Sequence, residues 1–472
     1  MSNSCNSLTK ILSKIEPSEL NEVSEISKKF NVFLANVLGD EFADGLMKSL
    51  EWLNFSDNKK DLIMVISKID PNYDLESLKG MDEDHLLSEY LRIGNMILKL
   101  NDDGLFQLQV SGEYLLSNLY IPIILNERGL NKLEICNCSN LGSLEGLPVG
   151  LNKLEIRFCD SLESLEGLPE GLKELIFEGC GKLESLEGLP VGLKELTIYN
   201  VSSLEIIEGI PEGLEKLHID GWDKLECLGV LPEGLKELNI YNVSSLESIE
   251  RLPDSLKELE FYVCPKLESL GVLPEGLQKL YVGSCDKLES LDGLPGCLEK
   301  LTLEYSFNLE FLDRLPEGLE KLLIGDYDKL ESLGVLPEGL KVLHIECCSK
   351  FEGWGVLPEG LEELAIEECD KLESWGILPE GLKKLHIEYC YKFEDWGVLP
   401  EGLKELYIYN VSNLEILGRL PEGLEKLHIG SCDKLESLGV LPQGLKELKI
   451  DQQTYDQLDD YSKYLIHKIN LK

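Results

Sequence analysis

The sequence predicts an α/β solenoid, with a parallel sheet on one face built from about sixteen short coils, a helical domain in front and a short helical cap behind. Three observations predict it. Between Leu130 and Ile450 a 21-residue pattern runs without insertion or deletion, and its prolines, from Pro148, Pro169 and Pro190 through to Pro421 and Pro442, fall one period apart. A fixed period of this length is the signature of stacked repeats. Within each period two apolar residues stand two apart, as on one side of a strand, while Gly and Pro at fixed places leave no room for a long helix in the return. One coil cannot bury its own leucines, so the coils must stack, with roughly 5 Å between neighbouring strands.

Counting Leu382 as position 1, the coil Leu382–Gly402 reads L-K-K-L-H-I-E-Y-C-Y-K-F-E-D-W-G-V-L-P-E-G, apolar at positions 1, 4, 6, 12, 15 and 18. Positions 4 and 6 face the core, and positions 3, 5 and 7 face the other way. The pattern L-x-x-L-x-[IL]-x-x-[CN]-x-x-L followed by L-P resembles the leucine-rich repeat, over about two thirds of the chain. The link L-P-E-G-L is similar to the L-P-x type found in effectors that host-associated bacteria inject into eukaryotic cells. The half C-x-K-L-E-S-L looks more like cysteine-containing repeats, including those of plant resistance receptors. The resemblance implies a curved solenoid whose concave sheet grips a protein; a fold does not by itself supply the function.

The boundaries follow from the period. Residues 1–100 read as a helical domain, in which Ser18 caps a segment with Leu20, Val23, Ile26, Phe30, Leu34 and Val37 at helical spacing, and further helices cover Phe42–Leu53, Leu62–Ile69 and Asp82–Leu100. Residues 101–129 are a linker and N-terminal cap, 130–451 the solenoid, and 452–472 a C-terminal cap. In that cap Tyr455, Leu458, Tyr461, Leu465 and Ile469 predict one amphipathic helix. One branch of the resembling effectors carries a large C-terminal ubiquitin-ligase domain, and nothing of that size follows Ile450, so that activity is not expected here.

A formal charge of −42 argues against nucleic acid or an anionic membrane as partner and favours a protein with a basic surface. No basic-then-apolar leader opens the chain and no apolar run is long enough to span a bilayer, so the expectation is a cytoplasmic protein without membrane insertion. The opening M-S-N-S-C-N-S also suits an unfolded secretion signal, and with it export into a host cell.

The chemistry-bearing residues read mostly as scaffold. Nine of the fourteen cysteines stand at position 9, and Val201, Trp222, Val243 and Val411 replace them elsewhere, as suits a buried packing site. A file of like side chains offers neither disulfide geometry nor a converging zinc site. His218, His344, His386 and His428 share position 5, and the last three lie two coils apart, roughly 10 Å, so they cannot share one metal. Glutamate recurs at position 13, with Lys at position 11 expected to offset it. Trp354, Trp375 and Trp396 replace the core leucine of position 15 and are expected to form a core stack. No catalytic residue, metal ligand or cofactor is expected.

Information about a partner must sit where the coils vary, at positions 5, 7 and 8. Tyr199, His218, Tyr241, Tyr262 and Tyr281 form one set; His344, His386, Tyr389, Tyr407, Tyr409 and His428 form a second. Flat amphipathic rings supply contact area at low entropic cost, which makes these the candidate anchors for a protein on the concave face. The expected function is therefore a non-enzymatic protein-binding scaffold, a host-directed effector or adaptor. The alternative is an enzyme or enzyme-recruiting adaptor, for example of the ubiquitin pathway, with its activity in the helical N-terminal domain.

Overall fold

The computed structural model describes residues 63, 74–81, 85–86, 97–100, 106–111, 131–136, 144, 147, 149–201, 203–249, 251–291, 293–305, 315–394 and 396–470. It divides into two units after Leu235. The first contains α1 (Leu75–Gly80), β1 (Ile97–Leu100), β2 (Phe106–Ser111), β3 (Lys132–Cys136), β4 (Lys153–Arg157), β5 (Glu174–Glu178), β6 (Glu195–Tyr199) and β7 (Lys216–Asp220). β1 and β2 pair antiparallel, with Ile97 opposite Gln109, and β2 runs parallel to β3. The helix expected over Asp82–Leu100 therefore ends in strand. The run I-L-K-L is too short for its pattern to separate strand from helix, and β2, itself paired with β1, covers the edge that an exposed β3 would leave open. The other helices expected within residues 1–100 fall largely outside the described residues.

The second unit contains β8 (Glu237–Tyr241), β9 (Glu258–Tyr262), β10 (Lys279–Gly283), β11 (Lys300–Glu304), β12 (Lys321–Gly325), β13 (Ser332–Leu333), β14 (Val342–Glu346), β15 (Gly353–Trp354), β16 (Glu363–Glu367), β17 (Lys384–Glu388), β18 (Glu405–Tyr409), β19 (Lys426–Gly430) and β20 (Glu447–Ile450). In both units the main strands pair in parallel and in register, so that Leu154 lies beside Leu175 and Leu385 beside Leu406. The two-residue strands β13 and β15 pair on the return side of their coils.

Three backbone devices close each coil. Leucine at position 1 donates its N–H to the carbonyl of the proline three residues before it, as Leu382 does to Pro379 at 3.1 Å, which shapes the Pro-Glu-Gly turn. The carbonyl of position 2 accepts two N–H groups from the next coil, as Lys383 accepts from Lys404 at 2.7 Å and Glu405 at 3.0 Å. Position 8 is left-handed, from Phe158 (φ 54°) and Gly179 (φ 63°) to Asn410 (φ 52°) and Ser431 (φ 53°). Strict alternation would send position 8 inward after positions 4 and 6. The left-handed residue breaks the alternation, and position 9 becomes the next buried side chain. About fourteen turns carry this geometry, rather than the sixteen expected. The last strand, β20, runs into a helix instead of closing a coil, and most of the return after β3 lies outside the described residues.

The core is a set of columns: in one coil Leu382, Leu385, Ile387, Cys390 and Phe393 are all fully buried, each large side chain contributing about 1.5–3 kcal/mol. The tryptophan file is core only at its centre. Trp375 is 1% exposed, whereas Trp354 and Trp396 are half-buried. Their indoles link successive coils, Trp354 donating to the Trp375 carbonyl at 3.2 Å and Trp375 to that of Trp396 at 2.9 Å.

The C-terminal cap is two helices rather than one, α2 (Gln452–Gln457) and α3 (Asp460–Asn470). It supplies side-chain oxygens to amides that a further coil would have paired. Asp451 caps α2 by accepting from the Thr454 N–H at 2.8 Å, and its other oxygen accepts from the Ser431 N–H at 2.6 Å. Thr454 Oγ1 accepts from the Cys432 N–H and Ser462 Oγ from the Leu438 N–H. Replacing Asp451 by Ala should therefore lower the stability of the last coils by about 1 kcal/mol or more, read as a lower urea midpoint. Conversely, Val263 holds a β-branched side chain at φ 56°, where Asn stands in Asn200, Asn242 and Asn410. Val263→Asn should raise the same midpoint, relieving about 1 kcal/mol.

Candidate partner-binding face

The outward positions of the strands form the candidate site, and in-register pairing decides which of its side chains meet. In the first unit Tyr199 and His218 touch, ring centroids 5.3 Å apart. In the second, Tyr241, Tyr262 and Tyr281 form a row at 6.1 Å intervals. The Tyr281 hydroxyl donates to Glu304 at 2.8 Å, and that of Tyr241 to Glu260. Burial, and after it the Glu304 carboxylate, pushes the Tyr281 hydroxyl well above its ordinary range.

A second cluster centres on His386, whose ring lies 5.8 Å from Tyr407 and 6.1 Å from Tyr409, while Tyr407 meets His428 edge-on at 4.9 Å. His386 stands between two carboxylates, Nδ1 3.5 Å from Glu367 and Nε2 3.4 Å from Glu388. His344 approaches Glu363 at 3.3 Å and is separated from His386 by the strand carrying Ala365. Tyr389 does not join this group: it is the left-handed residue of its coil, and its ring meets Tyr391 instead. Nor do these rings stand clear of the surface as the sequence suggested. At roughly 5 Å spacing they cover one another; most are half-buried, and His428 is 9% exposed.

A charged file runs along position 3, outside the variable positions 5, 7 and 8 from which the candidate residues come. There Glu363, Lys384, Glu405, Lys426 and Glu447 alternate in sign from coil to coil, a signal visible in the sequence. In the structure Lys384 reaches Glu363 at 2.6 Å and Lys426 reaches Glu405 at 2.7 Å. The Lys426 hydrogen bond holds the Glu405 carboxyl below its ordinary range. In the first unit burial alone would push Glu155 up, but hydrogen bonds from Lys132 and Arg157 outweigh it and its carboxyl is lowered. The expected pairing of Lys at position 11 with Glu at position 13 occurs for Lys287 with Glu268 and Lys371 with Glu352. Among the described residues no group of three or more His, Cys, Asp or Glu is placed to hold a metal ion, and no helix is long and apolar enough to cross a membrane. Most of residues 1–126, where the alternative enzymatic reading would sit, lies outside the described residues.

Among the described residues the position 9 thiols are buried and form no disulfide, and most point back at the carbonyl two residues before them, as Cys390 does to Glu388 at 3.4 Å. Burial pushes Cys180, Cys348 and Cys390 up to about 12. Cys297, by contrast, is exposed. Iodoacetamide at neutral pH should therefore modify Cys297 in the folded protein and leave Cys180, Cys348 and Cys390 unmodified until denaturant is added, as peptide mass mapping would show.

No family model matches the chain, and no curated protein matches it. Several solved structures resemble it weakly. CroV588, a circular leucine-rich-repeat protein, is 19% identical with a TM-score of 0.38, the match covering 75% of this chain and 70% of that one. YopM from Yersinia enterocolitica WA-314 is 23% identical with a TM-score of 0.31, covering 69% and 92%. The pneumococcal vaccine antigen PcpA is 16% identical with a TM-score of 0.19, covering 70% and 75%. At these scores the likenesses carry no weight of their own. The chain's own geometry does: a one-strand coil of 21 residues, in-register parallel pairing and leucine columns make a parallel-sheet solenoid of about fourteen turns, with a spacing that matches the leucine-rich repeat.

Proposed function

We propose that this chain is a protein-binding scaffold that recognises a partner protein on the outward face of its sheet. One observation carries the reading. Positions 4 and 6 hold near-constant aliphatic residues while positions 5 and 7 change from coil to coil, and the changing positions bring Tyr, His and Glu side chains into contact with one another. A solenoid needs only its columns for stability, so a mosaic of rings and carboxylates on a rigid sheet is where recognition can be written. The excess of carboxylates, −42 over the whole chain, selects a partner with a basic surface and disfavours nucleic acid. The finer reading, a host-directed effector or adaptor exported into a eukaryotic cell, is supported by the L-P-E-G-L link and its similarity to that effector class.

The two ring clusters are separable by mutation. Affinity capture from eukaryotic lysate should compare the unaltered chain with two triple variants. One is Tyr241→Ala, Tyr262→Ala, Tyr281→Ala and the other His386→Ala, Tyr407→Ala, Tyr409→Ala. A buried aromatic anchor typically contributes about 2 kcal/mol, so loss of three should deplete a defined captured protein well over tenfold in one variant. Undiminished capture by both would remove the sheet face from the proposal.

A further inference from the structure

Position 17 of the coil lies in the return, just before the Leu-Pro turn, and it carries an apolar row that neither the core nor the sheet face uses. In four consecutive coils the residue is Val335, Val356, Ile377 and Val398, exposed by 86%, 88%, 92% and 87%. The turn does not require an apolar side chain there. Arg251 and the exposed Arg419 occupy the same position, and Gly167 and Gly188 do so in the first unit. In the sequence Arg314 and Arg419 bound the row on either side. Full exposure of four aliphatic residues in register, where the scaffold accepts Arg, is the mark of an interaction surface.

Beside that row runs a second one, of charge. Glu338, Glu359, Glu380 and Glu401 follow three residues later in the same turns and are exposed. Lysines that could neutralise them are engaged elsewhere: Lys341 with Glu320, and Lys383 with Glu362 at 2.8 Å. Beneath three of the four turns lies the tryptophan file, whose indole N–H groups tie Trp354 to Trp375 and Trp375 to Trp396. The surface is therefore a short apolar ridge, flanked by carboxylates that no cation among the described residues reaches, on a cross-linked base.

We infer that this ridge docks a basic amphipathic α-helix of a partner protein, with one aliphatic side chain per turn on the valine row and Lys or Arg against the glutamates. Spacing selects the helix. Coils repeat at about 4.8 Å and a helix turns every 5.4 Å, so four rungs accumulate a mismatch of only about 2 Å, within side-chain reach. An extended segment presents one face every ~6.7 Å and would slip out of register by about 6 Å over the same rungs. A second copy of this chain would bring the same carboxylates and be repelled. The ridge lies on the turns and not on the strands, so the inference does not rest on the sheet-face reading.

The test uses the full chain and two labelled synthetic peptides of about 18 residues, long enough to hold helix. One places Leu at i, i+3, i+4 and i+7 with Lys elsewhere, and the other is its scrambled isomer. By fluorescence anisotropy the amphipathic peptide should bind at least tenfold more tightly than the isomer. Val356→Asn with Ile377→Asn should weaken it about tenfold or more. Glu359→Gln with Glu380→Gln should weaken it at low salt and flatten its salt dependence, and His386→Ala with Tyr407→Ala should leave it unchanged. Circular dichroism checks folding, and if the Asn pair unfolds, Val356→Arg with Ile377→Arg replaces it, since Arg419 is native at this position. Equal binding of the two peptides, no binding of either, or undiminished binding to the folded valine variant overturns the inference. So does a concentration-dependent dimer in sedimentation that the valine variant abolishes, which would assign the ridge to self-association.

Discussion

In-register parallel pairing at a constant 21-residue offset is the constraint on which everything else in this molecule depends. It places each side chain beside its own counterpart from the neighbouring coil, so every position must be compatible with a stack of itself. Apolar side chains meet that condition at no cost, and among the described residues positions 1, 4, 6 and 12 are buried in coil after coil of each unit. Charged side chains do not. Along the last five rungs of position 3 the chain alternates sign, in Glu363, Lys384, Glu405, Lys426 and Glu447, so that Lys384 and Lys426 each find a counter-ion one coil back. Exposed pairs of this kind contribute little to stability, about 0.2–1 kcal/mol each. Their effect is to remove the repulsion that an unbroken file would carry.

Where alternation fails, the consequences can be seen. Glu346, Glu367 and Glu388 are partners in three successive strands, with no sign change between them. Burial and then the neighbouring Glu367 push the Glu346 carboxyl above its ordinary range. His386 stands against the other two, Nδ1 toward Glu367 and Nε2 toward Glu388, whereas the strand before it has Ala365 at that place. The sheet face is thus partly an account of how its own charges are managed. That tempers the functional weight of any single histidine and moves it to the cluster.

How much of this was legible in the sequence follows from the same constraint. The period, the columns and the buried thiols could be read because a stacked position tolerates little variation, so its chemistry repeats. The left-handed residue at position 8 was harder to see. Gly179, Gly221, Asn200, Asn242 and Asn410 announce it, but Phe158, Val263 and Tyr389 occupy the same place, because the backbone bond from position 8 to the next coil and the buried position 9 over-determine the conformation. From sequence Tyr389 therefore counts with the sheet face, whereas its backbone turns it out of the His386 group. The strand at Ile97–Leu100 is hidden for a different reason: four mostly apolar residues fit the end of a helix equally well, and only pairing with β2 decides. Crowding on the face was invisible because it depends on ring size against a 5 Å rise, not on residue type.

The two surfaces proposed for recognition differ in what a partner would have to displace. On the sheet face the rings already touch one another and the hydroxyls of Tyr281 and Tyr407 already have carboxylate acceptors, so a partner must offer contacts that replace existing ones, and specificity would come from matching a mosaic. On the turns, Val335 through Val398 and the adjacent glutamates have nothing to give up. Desolvating an aliphatic row while neutralising carboxylates that have no counter-ion among the described residues is favourable from the first contact. The chain can combine both because a coil has two independent outward stretches, the strand and the return, and the stacking constraint acts on each separately. Residues at position 5 can vary without moving the turn, and position 17 can alternate between Val, Arg and Gly without disturbing the strand.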